Sequence, residues 1–275
     1  MKKWSFFPVI YLFALSMQAQ VLSPQDDGII PSQTRFHNNN KVFEYPYLRE
    51  ADLMWSTRHW ERIDLKEKAN FHLYYPETPL PDRKSLFSVL IDGILKEATI
   101  VDVFGDDRFE IPYTSDEVSR YVRTIDTIFN PDDPSKIDLI DTIEIKSKDV
   151  IAYYIKSDWY FDKQRGELKN RIIAIAPVVK NPKTKDIYPL FWIWFPDARY
   201  ALATNTAFNR GNNMQRLTFD QVFHLRFFSS VIYKEENVYD RSIADYKRKS
   251  TLEQLLEGQQ IREKLRNFEN DLWEF

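Results

Sequence analysis

Apolar and polar positions divide the chain into four stretches. Behind Lys2 and Lys3, residues 4–17 are apolar apart from Ser5, Pro8 and Ser16, the layout of a secretory signal peptide. The run is shorter than the roughly 20 residues that a bilayer-crossing helix needs, and Pro8 interrupts it. Cleavage after Ala19 is therefore expected, which makes residues 1–19 the signal peptide. Residues 20–47 read as an extended N-terminal arm: they are polar, punctuated by Pro24, Gly28, Pro31 and an asparagine run at 38–40, and hold no core of their own. Near the end of the arm Phe43, Tyr45 and Tyr47 alternate, which gives an edge strand or arm one aromatic face.

Residues 48–130 are expected to be mostly helical. Leu53, Trp60 and Ile63 share one side of a helix over 48–63, widened by Met54 and Trp55. Pro76, Pro79 and Pro81 cannot continue it, and a second helix is expected from Asp82, with Leu86, Val89, Leu90, Gly93 and Ile94 on one face. A strand over 99–104 and a turn at Gly105, Asp106 and Asp107 follow. Thr114 with Glu117 then makes a capping-box pattern for a third helix. The proline and aspartate turn at 130–135 marks an internal boundary. Residues 131–275 read as a sheet followed by C-terminal helices. Segments 149–161, 171–179 and 187–195 have strand composition, and the short turns between them favour antiparallel pairing. Thr218 with Gln221 and Thr251 with Gln254 repeat the capping pattern. The first precedes Phe219, Val222, Phe223 and Phe227. The second precedes Leu252, Leu255 and Leu256, then Ile261, Leu265, Phe268 and Leu272 after Gly258. The fold class is α+β, an antiparallel sheet flanked by N- and C-terminal helices, with residues 48–275 as one compact unit.

Composition narrows the function. The chain has no cysteine, which removes disulfides, thiolate metal sites, cysteine nucleophiles and a lipid-bearing cysteine at the cleavage point. Without Lys2 and Lys3, 36 basic against 41 acidic residues leave a net charge of −5, so no basic patch for nucleic acid is implied. Six glycines stand against seven tryptophans, fifteen tyrosines and twenty phenylalanines. Such a surplus of rings supplies core area and also the anchors of protein interfaces.

Candidate chemistry is thin. His37, His59, His72 and His224 include no pair at helical ligand spacing, and no phosphate-binding glycine loop or serine nucleophile elbow occurs. No metal or cofactor is expected. Asp106, Asp107, Asp132, Asp133 and Asp162 are numerous enough for an acid and base pair, the basis of a carboxylate-dependent envelope hydrolase. Their neighbours, Gly105, Pro131 and Pro134, instead mark turn and cap residues. The run Phe191, Trp192, Ile193, Trp194 and Phe195 puts rings on both faces of a strand. It is read as a strand buried on both sides, with Trp192 or Trp194 as a sugar-stacking platform in a carbohydrate-binding module the rival reading. Leu272, Trp273, Glu274 and Phe275 end the chain in aromatics that call for a docking surface. Phe43, Tyr45, Tyr47, Trp192, Trp194, Trp273 and Phe275 are thus the candidate partner-binding residues, and none is assigned a catalytic role.

Longer strings carry a resemblance. Residues 47–75, with Arg49, Glu50, Ala51, Asp52, then Met54, Trp55, Ser56, and later Leu73, Tyr74, Tyr75, Pro76, resemble the N-terminal half of the gliding motility family GldN, called PorN in non-gliding relatives. Further similar strings follow in order at 82–87, 158–165, 172–177, 191–199, 228–241 and 271–275, so the resemblance spans nearly the whole mature chain. It implies a non-catalytic component of the type IX secretion system of Bacteroidetes. Such a subunit is soluble and periplasmic, and builds a ring under the outer membrane with neighbouring copies and a lipoprotein of the GldK or PorK type. It also implies contact with the periplasmic shaft of the motor, GldM or PorM, and membrane contact only through partners.

Overall fold

Three long strands carry the structure because their sequences hold β-branched and aromatic residues over more than ten positions each. The computed structural model describes residues 41–80, 83–129, 137–180, 185–208, 217–248 and 250–271. The signal peptide, the arm before Lys41, Asp82, the boundary at 130–135, and Trp273 and Phe275 lie outside them. In chain order the strands are β1 (Leu53–Asp64), β2 (Val103–Phe104), β3 (Pro112–Tyr113), β4 (Arg123–Phe129), β5 (Ile137–Glu144), β6 (Val150–Asp162), β7 (Glu167–Lys180), β8 (Ile187–Pro189), β9 (Trp192–Trp194), β10 (Thr206–Ala207), β11 (Leu217–Thr218) and β12 (Val231–Glu235). The helices are α1 (Phe71–Tyr74), α2 (Leu86–Leu95), α3 (Ser115–Val122), α4 (Phe195–Thr204), α5 (Phe219–His224), α6 (Ile243–Tyr246) and α7 (Thr251–Asp271).

Eight strands form one antiparallel sheet in the order β12-β1-β6-β7-β9-β2-β3, with β8 also paired to β7. The hairpin β4-β5 and the pair β10-β11 stand apart from it. The architecture is the expected α+β one, with helices toward both ends of the chain around an antiparallel sheet. One face of the sheet, carrying Ile63, Tyr153, Ile155 and Ile175, is covered by α2, α3, α4 and α5 through Leu90, Val118, Leu202 and Phe223. The other face holds a smaller core of Trp60, Ala174, Ala176 and Trp192, against which Phe104, Phe109, Tyr154 and Tyr233 pack. The two alanines leave room for the rings to lie close to the backbone. Lys156 is buried on this face between Trp60 and Phe109 and donates to the Asp107 carbonyl, while Trp60 Nε1 donates to Asp107 Oδ2 at 2.9 Å.

Several sequence expectations are corrected. Residues 48–63 are not a helix: a 3-10 turn at Glu50–Asp52 leads into β1. Trp60 and Ile63 sit on opposite faces of the sheet, and the buried polar residues His59 and Glu61 share the face of Ile63, so the alternation was hidden by charge. The stretch 48–130 accordingly holds a twelve-residue strand besides α1, α2 and α3. Helix α2 begins at Leu86, where Ser85 accepts from the Ser88 amide. The strand over 99–104 shrinks to β2. The segment 187–195 is two strands, and Phe195 with Pro196 opens α4. At α7 it is Ser250, not Thr251, whose hydroxyl accepts from the Leu252 amide, and Gln254 turns back to the Lys247 carbonyl. The capping boxes at Thr114 and Thr218 form as expected.

Helix α7 runs against the outer strand β12. A Cβ at Gly258 would lie 2.5 Å from the Ile232 carbonyl oxygen, and Arg262 Nη2 donates to the Ser230 carbonyl at 2.6 Å. The helix thus occupies the edge that an eight-stranded sheet would otherwise present to a foreign strand. Further along, Phe268 packs on Trp55 with centroids 4.6 Å apart.

Beneath the sheet edge, Glu61 is almost fully buried and accepts from Arg226, from the Ser230 hydroxyl and from the Ser157 hydroxyl. Burial alone pushes its carboxyl up, but Arg226, Ser230 and Arg262 outweigh that and hold it below the ordinary glutamate value. Arg226 also donates to Asn170 Oδ1 at 2.8 Å and lies over Trp159 and Phe228.

Two outcomes are expected. Gly258→Ala gains up to about 1 kcal/mol of helix propensity but meets a backbone oxygen at a cost of about 1–3 kcal/mol, so its melting temperature should fall. Glu61→Gln removes the buried charge that pairs with Arg226 and should cost about 3 kcal/mol at pH 7. Because the folded carboxyl titrates below the unfolded one, the wild-type advantage is full above about pH 4.3 and is lost as the pH falls through the folded value. Denaturant midpoints of the two proteins should therefore converge on acidification.

Candidate interaction surface

The segment 41–47 closes against α4 and α5 through a buried ion pair. Asp220, in the first turn of α5, takes Arg199 of α4 in a two-point contact, Nε to Oδ1 at 2.9 Å and Nη2 to Oδ2 at 3.2 Å. The same two side chains read the backbone of Phe43: its amide donates to Asp220 Oδ2 at 3.1 Å, and Arg199 Nη2 donates to its carbonyl. The Phe43 ring stacks on His224 at 5.2 Å with an interplanar angle of 3°. Two residues on, the Tyr45 ring lies between guanidiniums, 4.1 Å from Arg199 and 4.8 Å from Arg171. Burial raises the Tyr45 phenol above its ordinary value despite both cations, so it stays neutral. Phe43 and Tyr45 both meet His224, at 5.2 and 6.0 Å, and the alternation seen in the sequence thus has a surface to meet.

The rings beyond this contact are open to solvent. Tyr47 is 81% exposed, and Phe43, though stacked, keeps 44% of its surface. From His224 the chain leaves α5 by a Schellman turn: the Phe227 amide donates to the Val222 carbonyl at 2.9 Å, the Arg226 amide to the Phe223 carbonyl at 3.2 Å, and Arg226 takes a left-handed φ of 51°. That turn sends Arg226 inward to Glu61 and leaves Leu225 and Phe227 exposed. Phe227 contacts the buried His72 at 5.6 Å, and Phe71 beside it meets Tyr75 edge-on, also at 5.6 Å. Phe43, His224, Leu225, Phe227, Phe71 and Tyr75 are therefore all exposed, and the Phe43–His224 and Phe227–His72 contacts tie the arm, the end of α5 and α1 into one mainly aromatic band. Burial lowers the His72 pKa, so the base of the band is uncharged at neutral pH.

The other candidate residues fall elsewhere. Trp192 is 5% exposed and belongs to the small core, 6.4 Å from Tyr154. Phe191, Ile193 and Phe195 are buried with it, while Trp194, at the start of α4, is 41% exposed. One indole of the pair thus remains for a stacking surface. Trp273 and Phe275 lie outside the described residues. Asp106 closes its turn by accepting from the Glu110 and Ile111 amides, and Asp107 holds Trp60. Asp162 accepts from the Gln164 amide and pairs with Arg165. Asp132 and Asp133 lie outside the described residues. Among the described residues no group of three His, Cys, Asp or Glu is placed to hold a metal ion, and no helix is long and apolar enough to cross a membrane.

The sequence pointed to Phe43, Tyr45 and Tyr47, but not to Phe71, Tyr75, Leu225 and Phe227. Phe227 was expected on the buried face of a helix with Phe219, Val222 and Phe223, but α5 ends at His224 and leaves it exposed; Phe71, Tyr75 and Leu225 carried no periodic signal. Tyr45→Ala removes the ring held by two guanidiniums, and should weaken the local contact by about 1–2 kcal/mol. Where cleavage follows local opening, tryptic cutting after Arg49 should then rise roughly tenfold per 1.4 kcal/mol. Global melting should be little changed.

The family model of the gliding motility associated protein GldN matches residues 48–274. No curated protein matches the chain. The matched span takes in every strand of the sheet, the helices and the exposed band apart from Phe43, so the chain belongs to the GldN family and is a component of the gliding motility and type IX secretion machinery.

Proposed function

We propose that this protein is a non-catalytic structural subunit of that machinery. It forms a ring in the periplasm with neighbouring copies and with an outer-membrane lipoprotein of the GldK or PorK type. The carrying observation is the aromatic band. Phe43, Phe71, Tyr75, Leu225 and Phe227 are all exposed, and ring contacts join the arm to α5 and the end of α5 to α1, whereas scattered single rings would need no explanation. Rings of this kind are the usual anchors of protein interfaces, and each lasting contact removes about 800 Å² per partner from water.

A head-to-tail ring asks each subunit for two different complementary faces. The band supplies one; the exposed leucines of α7, Leu252, Leu255 and Leu256, lie on another element and supply a second. Of the carboxylates that suggested hydrolysis, Asp106, Asp107 and Asp162 are occupied in closing turns or holding neighbouring side chains, which favours a structural role. Contact with a GldM or PorM shaft, and with the membrane only through partners, completes the reading.

The test is co-expression of the mature chain with its lipoprotein, followed by affinity capture and electron microscopy of the product. Ring particles are expected. Phe227→Asp combined with Tyr75→Asp should keep the wild-type circular dichroism yet reduce lipoprotein recovery at least tenfold, about 1.4 kcal/mol. Undiminished recovery by that folded variant would sink the assignment of the band.

A further inference from the structure

We propose that the cleft formed by Arg199, Asp220, His224 and Arg171 is a receptor for residues 43–47 of a second copy of the chain, so that adjacent subunits exchange arms. The inference rests on the ring reading above and adds the means by which one copy grips the next.

The cleft has the properties of a peptide site. A buried Arg199–Asp220 pair presents one donor and one acceptor to a single residue, taking both the amide and the carbonyl of Phe43. Side-chain selection follows at alternate positions, a stacked imidazole for the first ring and a cationic sandwich for the second. Extended peptides are recognised in this way, by main-chain hydrogen bonds for affinity and alternate pockets for specificity. The recognised element is thus an extended aromatic-x-aromatic segment, and nothing in its contacts requires that it come from the same chain.

The connection permits the exchange. Between Tyr47 and the first tie to the sheet, where the Asp52 carbonyl accepts from the Lys163 amide at 2.9 Å, Arg49, Glu50 and Ala51 are exposed. The 3-10 turn at Glu50–Asp52 has no side-chain cap, so little is lost when it unwinds. Five residues, 48–52, extend to about 17 Å. The contacts made in the cleft are the same whichever copy supplies the arm, so the balance depends on hinge strain and effective concentration. A short linker sets the latter at roughly millimolar in one chain. Neighbours held side by side in a ring meet that level, whereas dilute monomers do not. Exchange of an identical element is a low-cost route between subunits.

The absence of cysteine from the sequence makes the test direct. Phe43→Cys and His224→Cys are placed in separate chains, which are co-assembled with the lipoprotein and treated with a short bis-maleimide. Both positions are exposed, and the contacts of Arg199 and Asp220 with the backbone of residue 43 and of the two guanidiniums with Tyr45 need neither side chain, so the arm keeps its seat. Exchange predicts a covalent dimer as the main product in assembled particles. Each single variant assembled alone should give none, and dilute monomers of the double variant F43C/H224C should link within one chain. Particles that form normally yet give no dimer from the mixed chains, while the double variant links only internally, overturn the exchange and leave the ring reading standing. If no particles form with wild-type chains, both fall.

Discussion

A strand in the middle of a sheet must be covered on both faces, and β1, β6 and β7 impose that demand on the rest of the chain. Four helices meet it on one side. On the other, no helix among the described residues is used: rings from the 104–109 loop and from β12 lie over two alanines and two tryptophans. Much of the aromatic surplus is thereby consumed in covering the chain's own sheet. Of the rings that remain exposed, Phe43, Tyr47, Phe71, Tyr75 and Phe227 lie where helix α5 ends, α1 begins and the arm arrives, and that binding surface follows from what the core leaves over.

Buried charge fixes the geometry of that region. Asp220 stands in the first turn of α5 and Arg226 just past its end, and each is paired with a distant residue, Arg199 and Glu61 respectively. An acidic side chain in the first turn also suits the helix dipole. Such pairs add little net stability over apolar packing, but they punish misplacement because either partner alone would be a stranded charge. A six-residue helix is pinned at both ends, and the exposed rings that leave it are held in a fixed direction. The left-handed turn at Arg226, which costs a residue with a side chain about 1–2 kcal/mol, is retained by its inward pairing with Glu61.

What the sequence disclosed followed from local chemistry. Thr114 with Glu117 and Thr218 with Gln221 announce helix starts because both partners of the capping contact lie within four residues. The long strands β6 and β7 were legible in their β-branched and aromatic composition, and the family resemblance in long irregular strings. The strand β1 was not, since its core face carries His59 and Glu61, and the burial of Glu61 depends on Arg226 and Ser230 more than 160 residues away. Likewise the cleft for Phe43 and Tyr45 is built by Arg171, Arg199 and Asp220. Nothing near those residues marks them as partners of an arm so distant in the chain, and only the folded arrangement brings them together.

The close seating of α7 on β12 bears on how such a molecule survives before it finds its place. A long sheet with a bare margin invites cross-strand polymerisation, the route toward fibrous aggregates. Here the margin at β12 lies under a helix that can approach so near only because Gly258 has no side chain, and the opposite margin, β3, is two residues long. Backbone addition at these margins is discouraged, so association is steered to side chains, whose shapes distinguish the right neighbour from the wrong one.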